Sequence, residues 1–456
     1  MNTDNRNKKN LFLFLFICVY LCPICGLNCI SSYGATKITF DPSGTMRIDG
    51  KPMFVISFTM APPVDGKTPD GNNAYDELHD AGGNYVRVPP PTRGLETVDG
   101  KLPPVHWDED GIATIKKYLD VAADHHMYGW ISLRGIETLK PDDKRKEGQL
   151  RKVIGEFKDH PAIGGYKASD EPAWGHVPVE TVVRAYRVIH EVDPYHPVLI
   201  LHAPKFTADV IAPYMAGTDI TGEDIFPIGY PMGKHSDMPN KELSVVADET
   251  DKIMRAAHGK PVWMTLQIAW SGVSRPGQNT LRYPSFFEER YMTYAAIIHG
   301  ARGINYFGGQ VPKTLNERDA KLGWNWTFWD RVLKSVVQEI GDKSPLNPAL
   351  LVPNSKIPVK LQAVPPAPAD NDSTAAVGKG DIDFCVREVG NDLFLLAAKR
   401  EGPVSRVSFS GLPLKDQTSE LLFESPRKVT VKDGAFTDWF APHEVHVYRF
   451  AKATTP

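Results

Sequence analysis

Two adjacent carboxylates, Asp170 and Glu171, stand between a short apolar run and Pro172 near the middle of the chain. Side-by-side carboxylates repel each other, so one of them binds its proton more tightly and can act as a general acid near neutral pH. Cleavage of a glycosidic bond needs such an acid, because the leaving oxygen must gain a proton. The simpler alternative is that Asp170 caps the following helix and Glu171 is solvated. A position at the mouth of a barrel favours the catalytic interpretation.

A second acidic pair, Glu223 and Asp224, lies in another predicted strand. Successive side chains of a strand point in opposite directions, so one of the two should face the same cleft as Glu171. We expect a carboxyl oxygen of that residue about 5 to 10 Å from Glu171. A spacing near 5 Å favours retention of the anomeric configuration, and a wider gap with room for water favours inversion. The alternative for this pair is an ordinary helix or loop cap.

Several other polar and aromatic side chains follow apolar runs and could hold a polar ligand. Polar groups at such positions can bind hydroxyl groups, and large amphipathic rings suit the faces of a sugar. For each aromatic residue the alternative is packing between loops. The predicted substrate-binding residues are Arg87, Asp170, His202, Tyr230, Gln267 and Trp270.

The elements that must position these residues alternate between apolar runs and stretches of helical periodicity. Eight such pairs predict a (β/α)8 barrel, in which reactive groups project from the carboxyl ends of the strands. The predicted strands are Phe54–Thr59, Tyr85–Val88, Gly129–Leu133, Ile163–Ala168, Val198–His202, Ile220–Ile225, Val262–Leu266 and Ile304–Phe307. The predicted helices are Ala74–Ala81, Ile112–His125, Gln149–Lys158, Val179–Val192, Ala208–Met215, Leu243–His258, Phe286–His299 and Trp326–Ile340.

The helical periodicity ends near residue 345, and alternating runs typical of antiparallel strands follow. We expect residues 35–345 to form an N-terminal β-hairpin and the barrel, and residues 346–456 to form a C-terminal antiparallel β-sandwich. The predicted sandwich strands are Ile382–Val386, Leu393–Ala397, Arg406–Phe409, Ser419–Phe423, Lys428–Val431 and Val445–Phe450.

The first 34 residues read as a signal peptide, because three basic residues precede the apolar stretch Leu11–Leu21. That stretch is shorter than the roughly 20 residues that span a bilayer, so we expect a secreted or periplasmic protein without a stable membrane anchor. Cys25 and Cys29 also suggest a lipoprotein, but the residues before them match a lipoprotein signal poorly, so lipid anchoring is the less favoured alternative. Four of the five cysteines lie in this leader, which leaves Cys385 alone and predicts no disulfide.

Composition excludes several classes of function. Hydrophobic residues make up 42% of the chain, charged residues make up 23%, and the formal net charge is −3. Nucleic-acid binders show clustered positive charge, so we expect no nucleic-acid partner. The sequence contains no phosphate-binding loop, dinucleotide fingerprint or metal-ligand spacing, so we expect no cofactor and no metal.

Two motifs resemble those of the large clan of (β/α)8-barrel glycoside hydrolases. The run Gly83–Arg87 looks like the Gly-x-Asn-x-x-Arg of the second barrel strand, and Ser169–Pro172 looks like the Asn-Glu-Pro or Asp-Glu-Pro of the fourth. The resemblance covers the barrel, about two thirds of the chain. It implies a carbohydrate substrate, a site oriented by Arg87, and Glu171 as the acid/base. Asp170 stands where the clan usually has an Asn that holds the sugar 2-hydroxyl.

The seventh strand departs from this pattern, because Gln267 stands where the clan has its nucleophilic Glu. An amide cannot be the carboxylate nucleophile of a retaining mechanism. A strand-six carboxylate could replace it, with Asp224 or Glu223 as base or nucleophile. The substrate's own acetamido group could attack instead, oriented by Asp170 as in hexosaminidases. The barrel could also bind sugar without cleaving it, or serve as a structural cell-surface protein.

Overall fold

The computed structural model describes residues 36–92, 103–229, 232–268, 282–309, 315–364 and 381–452. The predicted signal peptide therefore lies outside the described residues. One compact unit spans Ala35–Pro456.

Eight parallel strands form a closed barrel and follow one another around it in chain order. Each is followed by a helical segment, which confirms the predicted (β/α)8 architecture. The strands are β4 (Val55–Phe58), β5 (Tyr85–Val88), β6 (Tyr128–Ser132), β7 (Ile163–Asp170), β8 (Val198–His202), β9 (Ile220–Ile225), β10 (Val262–Gln267) and β11 (Gly303–Phe307). The predicted and observed strand ends differ by two residues at most.

The helices surround the barrel, and side-chain caps begin several of them. Asp108 and Asp143 accept hydrogen bonds from backbone N–H groups of the first helical turn, and Ser285 forms a capping box with Glu288. The α-helices are α1 (Ala74–Asp80), α2 (Glu109–Asp124), α3 (Lys144–Phe157), α4 (Val179–Val192), α5 (Ala208–Ile211), α6 (Val245–Ala256), α7 (Phe286–Ile298), α8 (Glu317–Leu322), α9 (Trp326–Phe328), α10 (Lys334–Ile340) and α11 (Asn347–Leu350).

Two predicted helices are interrupted in the structure. The segment predicted as Ala208–Met215 is α-helical only to Ile211 and continues as a 3-10 helix, Ala212–Gly217. Pro213 has no N–H to donate to the preceding turn, so it breaks the α-helical pattern there. The segment predicted as Trp326–Ile340 contains a π-helical turn, Trp329–Leu333.

The amino-terminal end of the barrel is filled by apolar side chains. A three-stranded sheet of β1 (Ile38–Phe40), β2 (Met46–Ile48) and β3 (Lys51–Met53) contributes to a buried cluster with Tyr85 and Trp263 from inside the barrel. A Cβ added to Gly164 would lie 2.2 Å from the Tyr85 ring, so glycine makes room for that aromatic side chain. Among the described residues, this apolar cluster fills the amino-terminal end of the barrel, so we expect a ligand site at the carboxyl ends of its strands.

The C-terminal strands form two antiparallel sheets, in agreement with the predicted β-sandwich. One sheet has the order β12-β15-β18 and the other β13-β14-β19-β16-β17. The strands β12, β18 and also β3 are additional to the predicted ones. The strands are β12 (Lys360–Ala363), β13 (Ile382–Val389), β14 (Asp392–Lys399), β15 (Ser405–Ser410), β16 (Gln417–Leu422), β17 (Lys428–Val431), β18 (Phe436–Phe440) and β19 (Val445–Ala451).

Polar contacts fasten the sandwich to the barrel helices. His299, at the end of α7, has Nδ1 2.8 Å from Asp251 of α6 and Nε2 3.3 Å from Asp383 of β13. Arg400 bridges the same two parts, 2.9 Å from Asp248 and 2.8 Å from Asp383. This network lies away from the strand ends and contributes to stability.

Candidate active site

Glu171 is the first residue after β7 and lies half-buried at the carboxyl end of the barrel. Its backbone N–H donates to Leu201 O at 2.8 Å, and its carbonyl accepts from Gly175 N at 2.9 Å. These bonds hold the residue at a φ of 46°, in the left-handed region that non-glycine residues rarely occupy. Backbone strain of this kind, held by surrounding contacts, is found at functional sites.

Asp224 comes from β9 and forms a carboxyl–carboxyl hydrogen bond with Glu171. The Asp224 Oδ1 atom is buried and accepts no hydrogen bond from a donor group among the described residues. The two acidic groups predicted to face each other are thus in contact. Two ionised carboxylates in contact would repel each other, so the contact is favourable when the two groups share a proton.

The pKa values of both carboxyl groups lie above their ordinary range. Desolvation raises the pKa of Glu171 most, and the negative charge of Asp170 adds to it. Desolvation also raises the pKa of Asp224 well above its usual value, followed by repulsion from Glu171 and Asp170. Interacting carboxyl groups titrate as a pair, so the pair keeps one proton over a wide pH range.

Asp170 behaves differently, although it is the immediate neighbour of Glu171. Its side chain is 68% exposed and forms an ion pair with Lys167. Desolvation raises the pKa of Asp170, but the positive charges of Lys167, then Arg87 and Arg134, lower it more. The pKa of Asp170 therefore lies below its ordinary value. Asp170 therefore remains ionised beside the protonated pair.

Arg87 and Lys167 both lie close to the indole ring of Trp130. The Arg87 guanidinium lies 5.7 Å from the Trp130 ring centroid, and Lys167 Nζ lies 5.8 Å from it. Trp130 Nε1 donates to Ser57 Oγ at 3.0 Å, which fixes the ring. Arg87 Nε is buried without a hydrogen-bond partner among the described residues, so it can donate to a ligand.

Glu137 is a further acidic residue near the cleft that sequence reasoning did not assign to the site. It lies in the loop after β6, and its Oε2 is buried without a hydrogen-bond partner among the described residues. Desolvation raises its pKa, and Asp170 contributes to that rise. Its position in the loop after the third barrel strand indicates it from the sequence, but it was not among the predicted site residues.

Three predicted residues are not available to a ligand in the cleft. Glu223 is fully buried on the outer side of β9, where its Oε1 lies 2.6 Å from Lys252 Nζ of α6. His202 is paired with Glu223 across the strands and packs against Tyr214, with ring centroids 6.0 Å apart. Burial lowers the pKa of His202 to about 3, so the ring is neutral.

Gln267 is also committed to the protein itself. Its Oε1 accepts from Ile228 N and its Nε2 donates to Ile228 O, both at 2.8 Å. The side chain therefore fastens the loop that follows β9, directly after Asp224. At position 267, where the resemblance predicts a nucleophilic Glu, the side chain therefore has a structural role.

The two aromatic residues predicted to stack on sugar, Tyr230 and Trp270, lie outside the described residues. Trp130, Phe226 and Trp324 are buried at 7% exposure or less. Trp174 differs, because it is 56% exposed and lies three residues after Glu171.

No cluster of three or more metal-ligating side chains occurs among the described residues. Within the described ranges, no helix is both long enough and apolar enough to cross a membrane. At the carboxyl ends of β7 and β9, Glu171 and Asp224 share one proton beside the negative charge of Asp170 and the cations Arg87 and Lys167.

Comparison with known proteins identifies relatives of the fold alone. No family model matches the chain, and no curated protein matches its sequence. Among solved structures, a glycoside hydrolase family 5 protein from Bacteroides vulgatus is 12% identical, with a TM-score of 0.57, covering 92% of this chain and 93% of that one. Another structure, described as a glycoside hydrolase, is 13% identical with a TM-score of 0.57, covering 92% and 98%.

An α-amylase from Anoxybacillus is 12% identical, with a TM-score of 0.53, covering 92% of this chain and 100% of that one. The likeness extends over the barrel and the C-terminal sheets in all three cases. At this level of identity it shows a shared architecture. The chain is thus similar in fold to barrel-containing glycoside hydrolases.

Proposed function

We propose that this protein is a glycoside hydrolase in which Glu171 and Asp224 carry the reaction. The observation that supports the proposal is the contact between their carboxyl groups at the carboxyl ends of β7 and β9. Glycoside cleavage uses a pair of carboxyl groups, one protonated and one ionised. A pair that shares a single proton holds this combination before substrate arrives.

Glu171 is the general acid, and Asp224 is the nucleophile. As the glycosidic C–O bond breaks, Glu171 gives its proton to the leaving oxygen, and an Asp224 oxygen bonds to the anomeric carbon. The Glu171 carboxylate then takes a proton from water, whose oxygen attacks the same carbon and releases Asp224. The first step removes the proton from the pair and the second returns one to Glu171 as Asp224 is released, so the site regains its starting state.

Retention follows from the spacing. Inverting enzymes separate their carboxyl groups by roughly 6.5–9.5 Å to admit a water, and retaining enzymes by roughly 5–5.5 Å. A hydrogen-bonded pair leaves no room for a water between its members, so the site is closer to the retaining arrangement. Binding of a sugar opens the pair slightly and puts the anomeric carbon within reach of Asp224.

The surrounding charges position the substrate. Arg87 has a donor free to bind a hydroxyl group, and the ionised Asp170 can accept a hydrogen bond from another. Lys167 balances the negative charge of Asp170 beside the singly charged pair of Glu171 and Asp224. We infer that these three residues bind sugar hydroxyls, and that Glu223, His202 and Gln267 stabilise the wall behind them.

One observation favours a second candidate, an enzyme whose substrate supplies an acetamido nucleophile. Asp170 is ionised and exposed beside Glu171, which is what orienting an acetamido group requires. The two candidates differ in their dependence on Asp224. The acetamido route acts only on N-acetylated sugars and tolerates Asp224→Asn, whereas the first route requires Asp224.

An activity screen on aryl glycosides, with and without 2-acetamido groups, tests the proposal. We expect turnover of at least one non-acetylated glycoside, with NMR of the first-formed product showing the anomer of the substrate. Glu171→Gln should lower kcat on substrates with poor leaving groups roughly 10²- to 10⁴-fold. Unchanged turnover in Glu171→Gln, or first-formed product of the opposite anomer, would contradict the proposed roles. Export by a signal peptide remains part of the proposal, and N-terminal sequencing of the exported protein tests it.

A further inference from the structure

Two exposed aromatic side chains lie on neighbouring loops beside Glu171. Trp174, in the loop after β7, is 56% exposed, and Phe206, in the loop after β8, is 37% exposed. Their ring centroids are 6.4 Å apart, with planes tilted by 56°. Single exposed apolar residues are common on protein surfaces, but two large exposed rings in contact form an apolar patch of the kind that binds a ligand.

The loop that carries Trp174 is held firmly by its own backbone. Gly175 N donates to Glu171 O at 2.9 Å, and Val177 N donates to Pro172 O at the same distance. The backbone N–H of His176 donates to Ala173 O at 3.2 Å, and His176 has a φ of 50°. The indole is therefore presented from a compact turn that starts at the catalytic acid.

Phe206 is presented in a comparable way. Its φ is 70°, a conformation that a bulky residue adopts only when neighbouring contacts impose it. Lys205 N donates to Ala203 O at 2.7 Å, and Asp237 N donates to Pro204 O at 3.0 Å. Lys205 Nζ also pairs with Asp237 at 2.7 Å. The loop thus holds the Phe206 ring outside the core, so core packing does not explain its position.

Both loops abut the catalytic pair. Lys205, next to Phe206, is close enough for its charge to lower the pKa of Glu171 partly, against the larger effects that raise it. A pyranose ring has apolar C–H faces and polar edges, which suit aromatic rings flanked by an ion pair. A sugar unit on these rings would lie adjacent to the unit being cleaved.

We propose that Trp174 and Phe206 form a stacking site for a further sugar unit, so that the substrate is a glycan chain rather than a single glycoside. This inference rests on the proposed function, because it places the extra unit next to the cleaved bond. Lys205 and Asp237 supply hydrogen bonds to the hydroxyl groups at the edge of that unit. The two aromatic residues determine chain-length preference and take no part in bond cleavage.

Kinetics on substrates of increasing length test the proposal. Trp174→Ala should raise KM about tenfold for a tetrasaccharide or longer substrate. For an aryl monoglycoside, the same variant should leave both kcat and KM unchanged. Trp174→Phe should restore most of the affinity, and Phe206→Ala should act in the same direction. Trp439→Ala is the matched control, because Trp439 is 47% exposed on β18 of the sandwich. Equal KM changes for short and long substrates, or none, would overturn the proposal.

Binding separates this proposal from the catalytic one. Titration of the Glu171→Gln protein with the same oligosaccharides, followed by tryptophan fluorescence or calorimetry, reports the stacking site without turnover. Chain-length-dependent affinity that Trp174→Ala removes supports the stacking site even if no glycoside is hydrolysed. Hydrolysis without any such dependence would overturn the stacking site and leave the catalytic pair standing.

Discussion

Glu223 and Asp224 are neighbours in the sequence, yet the barrel wall between them gives them opposite environments. Glu223 lies on the helix side, 2.6 Å from Lys252, which is also 2.5 Å from Glu249. Asp224 lies on the cleft side, in contact with the carboxyl group of Glu171. The ion pair with Lys252 gives Glu223 a structural role. The carboxyl group of Asp224 faces another carboxyl group and shares a proton that it can transfer. The group that each acid contacts, more than its burial, separates a structural acid from a reactive one.

The largest expected difference between the two acids is in activity. Asp224→Asn should lower kcat by roughly 10⁴-fold or more, because it removes the nucleophile. Glu223→Gln, of matched chemistry one residue away, should keep kcat within a few-fold of the parent. Steady-state kinetics on the best aryl glycoside of the screen measures both. A similar loss in both variants would mean that the two sides of the wall do not differ in role.

Stability on the helix side should depend on Lys252 more than on Glu223. The buried group on the helix side has two glutamates and one lysine, and burial raises the pKa of Glu223 well above its usual value. This rise favours the protonated form of Glu223, which a neutral Gln resembles, so Glu223→Gln should cost less than about 1 kcal/mol. Lys252→Met leaves both acids without a cation and should cost about 3–5 kcal/mol. Chemical denaturation measures both, and an equal cost would contradict this assignment of charge.

A smaller effect should appear where the barrel meets the sandwich. Burial lowers the pKa of His299, but Asp251 and Asp383 raise it more, to about 9 from an ordinary 6.5. The stabilisation is therefore complete below pH 6.5 and is lost as the pH rises through about 9. At roughly 1.4 kcal/mol per unit it amounts to about 3 kcal/mol. The melting temperature should fall across this range, and His299→Gln should flatten the fall. An unchanged slope in the variant would assign the pH dependence elsewhere.

The barrel could be predicted from the sequence because alternation of apolar runs and helical periods is a strong, local signal. The proximity of Glu171 to Asp224 was also accessible, since the carboxyl ends of parallel strands meet at one rim. Which of Glu223 and Asp224 faces inward was not, because both faces of a barrel strand are buried and the sequence carries no sign of direction.

The other site residues show the same limit. Gln267 and His202 end their strands as predicted, yet each side chain is committed to contacts with other parts of the chain: the Ile228 backbone in one case, and Tyr214 in the other. Glu137 and Phe206 owe their positions to loop conformation. Such contacts depend on tertiary packing between residues that are distant in sequence, and no local pattern encodes them.

Chemical rescue of Asp224→Ala tests the central claim most directly. Removing the carboxylate leaves space beside the anomeric carbon, while Glu171 can still protonate the leaving group. With azide present, we expect turnover of an activated aryl glycoside to recover and to yield a glycosyl azide of the anomeric configuration opposite to that of the substrate. Recovery of activity without such a product, or full activity of the variant without azide, would contradict the assignment of Asp224 as the nucleophile paired with Glu171.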